Sequence, residues 1–132
     1  PFEIGFDCKP QRFVKSGDFT LEYSVDILLG LNVKIYNFYG FDAKPLILLK
    51  ATDEESLSFG RVTINDRVCI INEFHDYLYL DCDLQNAYNN NGNMNLFVSC
   101  EEFPILESGE NTISVYGSNI KSIEIVPRWW EL

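Results

Sequence analysis

The chain has 132 residues, of which 46% are hydrophobic and 14% aromatic. That is enough for one globular core and excludes a disordered tail. A formal charge of −10 at pH 7 argues against nucleic acid and anionic membranes as partners.

No apolar run approaches the roughly 20 residues of a membrane span, and no signal peptide is visible. The chain begins at Pro1 rather than Met, so the expectation is a fragment or a processed product.

Residues 1–8 alternate like a strand, with Phe2, Ile4, Phe6 and Cys8 on one face. Lys9-Pro10 stops that pattern, Gln11 to Lys15 could extend it, and Ser16-Gly17-Asp18 is a turn. A domain boundary is expected there, with 1–15 as an end strand and linker and 16–132 as a β-sandwich. Phe19, Leu21, Tyr23 and Val25 form a second alternating run, and Asn32 to Phe38 a third. Gly40 to Pro45 is a loop. Pro45 to Lys50 is continuously apolar up to its lysine, which predicts a central strand buried on both faces. Ala51 to Ser56 is a solvated loop.

Gly60 to Asn72 is the clearest hairpin, with Asn65-Asp66 at its turn. Tyr77 to Asp81 is another strand. Asp83 is placed to cap a single helical turn over Leu84 to Tyr88. Asn89 to Asn93 is a loop. Residues 94–102 read as loop with a short strand around Leu96 to Val98. Glu107 to Asn111 is a turn in which Gly109 can take positive φ. Thr112 to Tyr116 is a strand, and Gly117-Ser118-Asn119 is tight enough for a hairpin. Ile120 to Pro127 alternates again and stops at Pro127, which cannot donate to a ladder. About nine short strands at regular spacing predict an all-β, antiparallel β-sandwich with one short helical turn.

The four cysteines are Cys8, Cys69, Cys82 and Cys100. None forms a Cys-x-x-Cys pair, which disfavours zinc and thioredoxin-like chemistry. Buried free thiols are the expectation, because a disulfide framework needs an oxidising compartment. His75 is the one histidine and reads as a surface turn residue. There is no nucleophile elbow and no Gly-rich phosphate loop. Asp81-Cys82-Asp83 with Asn89 to Asn93 is oxygen-rich, but calcium-loop spacing is missing and capping explains Asp83. Asp53-Glu54-Glu55 and Glu101-Glu102 read as solvated charge. No catalytic, cofactor-binding or metal-ligating residue is therefore expected.

The aromatics allow two readings. Tyr77, Tyr79 and Tyr88, with Trp129 and Trp130, could stack on sugar rings as a candidate ligand face. Yet period-2 aromatics in strands are what a sandwich core requires, and no cluster of exposed rings is visible in the sequence, so the core reading is the expectation. For the tryptophan pair, burial is the expectation. Each buried Trp would contribute about 4–6 kcal/mol, large beside a net stability of about 5–15 kcal/mol.

The last thirty residues carry a resemblance. Phe103-Pro104-x-Leu106-x-x-Gly109-Glu110-Asn111-Thr112-Ile113, then Ile123-x-Ile125-x-Pro127-Arg128-Trp129-Trp130-Glu131-Leu132, is similar to the end of the siphophage tail-component family, the distal tail proteins of long-tailed phages and prophages of Gram-positive hosts. Phe2-x-Ile4-x-Phe6-x-Cys8-x-Pro10 resembles the strand closing that family's N-terminal ring domain. Pro45-x-Ile47, Val62 to Asn65, Ile70, Tyr79 to Leu84, Ala87-Tyr88 and Met94 follow in the order of its C-terminal domain. Two departures stand out: the family often has Ser-Glu where Cys82-Asp83 stand here, and Leu96 to Glu102 lengthens a link that is compact in the family.

The resemblance implies a non-enzymatic virion protein at the tail tip, assembled in the bacterial cytoplasm. It implies a hexamer for the full-length protein, a monomer for this C-terminal piece, and other tail or baseplate proteins as partners. It also implies a jelly-roll sandwich like galectins and carbohydrate modules. In it Phe103, Pro104, Gly109, Asn111, Pro127, Arg128, Trp129 and Trp130 would be structural anchors. The runner-up reading is a carbohydrate-binding module for host cell-wall polysaccharide.

Overall fold

The computed structural model describes residues 12–13, 19–53 and 57–131; for Arg12, Phe13 and Glu131 it describes the backbone alone. The expected first strand at 1–8, Cys8, the turn at 16–18 and the acidic pair Glu54-Glu55 lie outside the described residues. Strands are numbered in chain order. A five-stranded sheet runs in the order β10 (Val98–Cys100), β6 (Arg67–Phe74), β5 (Ser58–Ile64), β11 (Gly109–Ser118), β3 (Leu31–Asn37). A six-stranded sheet runs β2 (Leu21–Ser24), β12 (Ile120–Val126), β4 (Leu46–Ala51), β7 (Tyr77–Asp81), β8 (Asn86–Asn89), β9 (Gly92–Asn93). A separate pair joins β1 (Arg12–Phe13) to β13 (Trp130–Glu131), with Phe13 opposite Trp130. Every pairing is antiparallel. The protein is an all-β, two-sheet antiparallel sandwich.

Period-2 alternation builds its core. Ile47, Leu49, Leu78, Leu80, Ile123 and Ile125 from one sheet meet Val62, Ile64, Ile71, Ile113 and Val115 from the other, all buried. The expectation that Pro45 to Lys50 is buried on both faces is corrected. Ile47 and Leu49 are fully buried, whereas Leu46, Leu48 and Lys50 turn to a half-covered outer face. Leucines there cover the sheet's outside, so a continuous apolar run did not mean two buried faces.

The last two long strands enter both sheets. β11 lies between β3 and β5, and β12 lies between β2 and β4. Gly117-Ser118-Asn119 is therefore not a hairpin turn but a corner where the chain leaves one sheet for the other. Asn119 sits at φ 61°. Its carbonyl accepts from Thr52 N–H at 3.0 Å and from Ser58 Oγ at 2.9 Å, and its amide donates to the Leu57 carbonyl at 2.9 Å. Next to the corner Gly117 faces Gly60 across the ladder. A Cβ on Gly60 would collide with the Tyr116 carbonyl oxygen, and one on Gly117 with that of Phe59, so this close approach requires glycine on both strands. A register shift between Ile120 and Ser122 follows. It brings Ile120, Ile123 and Ile125 all into the core, which simple alternation does not allow.

The predicted turns at Asn65 and Gly109 hold left-handed backbone, at φ 56° and 96°. The helical turn over Leu84 to Tyr88 is not formed. Residues 82–85 make a tight turn, Gln85 takes φ 54°, and Asn86 to Tyr88 already belong to β8. The capping carboxylate is Asp81, not Asp83: its Oδ1 accepts from the backbone of Asp83 at 3.1 Å and Leu84 at 3.2 Å. Among the described residues the one helical element is a 3₁₀ turn at Asn95–Phe97, with the short strand just after it at Val98–Cys100.

Cys82 is a buried free thiol, as expected. The expectation fails for Cys69 and Cys100, which form a disulfide. They stand directly opposite each other on β6 and β10, with Cα atoms 4.3 Å apart, the spacing of a non-hydrogen-bonded antiparallel pair. The bond ties the edge strand β10 to its neighbour across a sequence separation of 31 residues. Closing a loop of that size restricts the unfolded chain by about 3–4 kcal/mol. Excess reductant should therefore lower the melting temperature markedly, and the double variant Cys69→Ala/Cys100→Ala should melt low with or without reductant.

Candidate functional site

The two halves of the C-terminal motif are fastened to one loop, residues 37–45. Asn111 is fully buried at the start of β11. Its Oδ1 accepts from Glu107 N–H at 2.7 Å and from Asn65 Nδ2 at 2.9 Å. Its Nδ2 donates to the carbonyls of Glu107 at 2.8 Å and Gly109 at 3.1 Å. One side chain thus closes the turn that Gly109 makes possible. From that turn Ser108 reaches the loop: its Oγ donates to the Tyr39 carbonyl at 2.7 Å and its N–H to Asp42 Oδ1 at 3.3 Å. Leu106 and Ala43 exchange two backbone bonds of 2.8 Å. Pro104 is buried and Phe103 packs half-buried on the core, its carbonyl accepting from Arg67 at 3.3 Å.

The chain's end approaches the same loop from the other sheet. Pro127 is buried and Trp129 is 7% exposed, its ring 6.5 Å from that of Tyr39. Trp130 is half-buried. It stacks on Phe41 at 4.4 Å and donates from Nε1 to the Asp42 carbonyl at 2.6 Å. The tryptophans therefore differ: the first is core, and the second clamps the loop from outside. Between them and Pro127, Arg128 adopts φ 59° and points back at Asp81. The pair is bidentate, Nη1–Oδ1 2.9 Å and Nη2–Oδ2 3.2 Å, the geometry in which Arg–carboxylate contacts are strongest.

Electrostatics follow from that geometry. Burial alone would push the Asp81 carboxyl up. The Arg128 guanidinium and the N–H groups of Leu84 and Asp83 together outweigh it and hold the carboxyl below its usual range. Arg128 is raised, chiefly by its hydrogen bonds to Asp81, against the opposing effect of burial. Burial, and next the Asp81 charge, push the Cys82 thiol up to about 12. Cys82 is therefore an inert, protonated thiol at neutral pH.

The predicted ligand face is brought together on the outside of the six-stranded sheet. Tyr79 and Tyr88 are direct cross-strand neighbours and stack at 5.2 Å, while Tyr77 meets Tyr79 edge-on at 5.6 Å. The cross-strand row continues on either side, through Leu48 and Glu124 to Glu22 and through Tyr88 to Asn93. None of the three tyrosines is core, which corrects the reading of these rings as sandwich interior. Lys50, beside Tyr77 in the ladder, is ion-paired with Glu124.

Several polar side chains of the oxygen-rich segment are already engaged. Asp81 holds Arg128; Asn89 bonds the Asn91 N–H at 2.8 Å and the Tyr77 carbonyl at 3.2 Å; Asn93 and Asn95 both donate to Asn86 Oδ1, at 3.2 and 2.8 Å. Among the described residues no group of three or more His, Cys, Asp or Glu could hold a metal ion. His75 lies exposed in the turn between β6 and β7.

Two features were not anticipated. Asp81 as the partner of Arg128 has no local signal, because 47 residues separate them. Ile27-Leu28-Leu29 did carry one, as an aliphatic triplet between Asp26 and Gly30. These side chains are 79%, 88% and 78% exposed, on a tip held by Asp26 Oδ1, which accepts from Leu28 and Leu29 N–H at 2.8 Å each.

No family model, curated protein or solved structure matches this chain.

Replacing Arg128 by Ala leaves a desolvated carboxylate unpaired and should lower stability by about 2–3 kcal/mol in urea denaturation. Because the folded pKa of Asp81 is depressed, its contribution is present above about pH 3.9, the ordinary Asp value. It disappears as pH falls through the lower folded value. Between pH 4 and 2 the wild type should therefore lose stability more steeply than Asp81→Asn.

Proposed function

We propose that the chain is a non-catalytic scaffold module of a phage or prophage tail tip, of the distal tail protein type, that makes contacts with other tail proteins. One observation carries the reading. The two segments on which the family resemblance rests, around Gly109–Ile113 and Pro127–Trp130, converge on the single loop 37–45. Motif residues that close a sandwich describe a protein valued for its shape. Gly109, Asn111, Arg128 and Trp129 act through backbone geometry, hydrogen bonding and burial.

The exposed tip of Ile27, Leu28 and Leu29 fits the same reading. Contiguous exposed aliphatic side chains mark a surface suited to contact with another protein. In a tail tip the covering surface would be a neighbouring tail protein. The negative surface suits a protein–protein role and disfavours nucleic-acid contact.

Gold-labelled Fab fragments raised against the purified domain, applied to phage or prophage particles of the source strain, test this by electron microscopy. Label at the end of the tail remote from the head is the expected result. Label on the capsid or along the shaft, or intact particles left unlabelled, would contradict it.

A further inference from the structure

Beyond this scaffold role, and independently of it, we propose that the groove beside Tyr77 and Tyr79 is a binding site for a neutral oligosaccharide. The groove measures about 410 Å³ and opens on the outer face of the six-stranded sheet, within the roughly 300–1,000 Å³ of ordinary small-ligand sites. Leu48, Tyr77 and Tyr79 form its apolar wall; Lys50, Asp76 and Lys121 supply its charged groups.

The mixture selects the ligand. A sugar ring is apolar on its C–H faces, and its hydroxyls both donate and accept. A site for it needs aromatic or aliphatic surface beside donors and acceptors together. Here lysine ammonium groups donate, the Asp76 carboxylate accepts, and tyrosine hydroxyls do both. An anionic ligand would meet Asp76 in the groove and Glu124 on Lys50, in a chain of formal charge −10. A cationic one would meet Lys50 and Lys121. A neutral polyol meets no like charge from either side.

The walls are also pre-formed. Tyr79 is held by the stacked Tyr88 and by the edge contact with Tyr77, and Lys50 by Glu124. Fixed side chains lose little freedom when a ligand arrives, so less binding energy is cancelled by ordering. The groove is open, with Asp76 and Lys121 toward one end of the sheet. That shape admits the interior of a polymer as readily as its end.

The test is a titration of the purified chain with neutral gluco-, galacto- and N-acetylglucosamine oligomers, followed by amide NMR shifts and calorimetry. Polyglucuronate and poly(glycerol phosphate) serve as anionic comparisons. At least one neutral oligomer should saturate with Kd below about 1 mM, with shifts centred on 48–51, 76–79 and 121. Tyr77→Ala should weaken that Kd at least tenfold. Lys121→Glu, at an exposed position that leaves the core untouched, should weaken it severalfold without changing the melt. A panel in which no neutral oligomer binds overturns the proposal. So does binding by the anionic polymers alone, or binding that survives both substitutions unchanged.

Discussion

The structure depends on where its last long strands go. β11 and β12 are consecutive in sequence, yet each is inserted in the interior of a different sheet. Neither sheet is continuous until residues 109–126 have arrived, so β3 and β5, and likewise β2 and β4, are neighbours only through a late strand. Such non-local pairing pays its loop-closure entropy before any contact rewards it. The Gly60–Gly117 contact and the Asn119 corner make the crossing sterically feasible, and the 37–45 loop then receives both motif segments. The Arg128–Asp81 pair adds a charged tie between the chain's end and β7. These features form one device, which holds a β-sandwich shut from its C-terminal side.

Much of that fold was legible in the sequence. Alternation located β2, β3, β11 and β12 to within a few residues, because one face of each strand must be apolar. Short apolar or β-rich runs located β4, β5, β6 and β7. Turn chemistry located Asn65 and Gly109, because few residues accept left-handed backbone. Sheet membership was not legible. Gly117-Ser118-Asn119 has the composition of a hairpin, and only tertiary packing makes it a corner. Asp83 has the sequence position of a helix cap, but β7–β8 pairing converts the following residues to strand and gives the capping role to Asp81. The disulfide was hidden for a similar reason: Cys69 and Cys100 become neighbours only once the edge strand β10 has found β6.

The candidate sites follow the same division. The roles of Trp129 and Trp130 as anchors could be argued from residue type, since burying a large aromatic side chain is strongly stabilising; that of Asn111 rested on the family resemblance. The partners could not, because Asp81, Asp42 and Tyr39 are distant in sequence and ordinary in composition. The tyrosines were visible as a group, but whether they faced the core or solvent depended on which face of β7 is buried. Leu78 and Leu80 take the interior, so Tyr77 and Tyr79 are left outside. One sandwich therefore offers two surfaces with separate chemistry: a clasped edge that gives a rigid body, and an outer sheet face whose rings and charges remain accessible.

Thermal denaturation of a chain ended after Val126 tests the central claim most directly. It retains every strand of both main sheets but lacks Arg128, Trp129 and Trp130. The account predicts a melting temperature tens of degrees lower, or no cooperative melt. A truncated chain that melts like the 132-residue one would mean that residues 127–132 merely decorate a sandwich already closed without them.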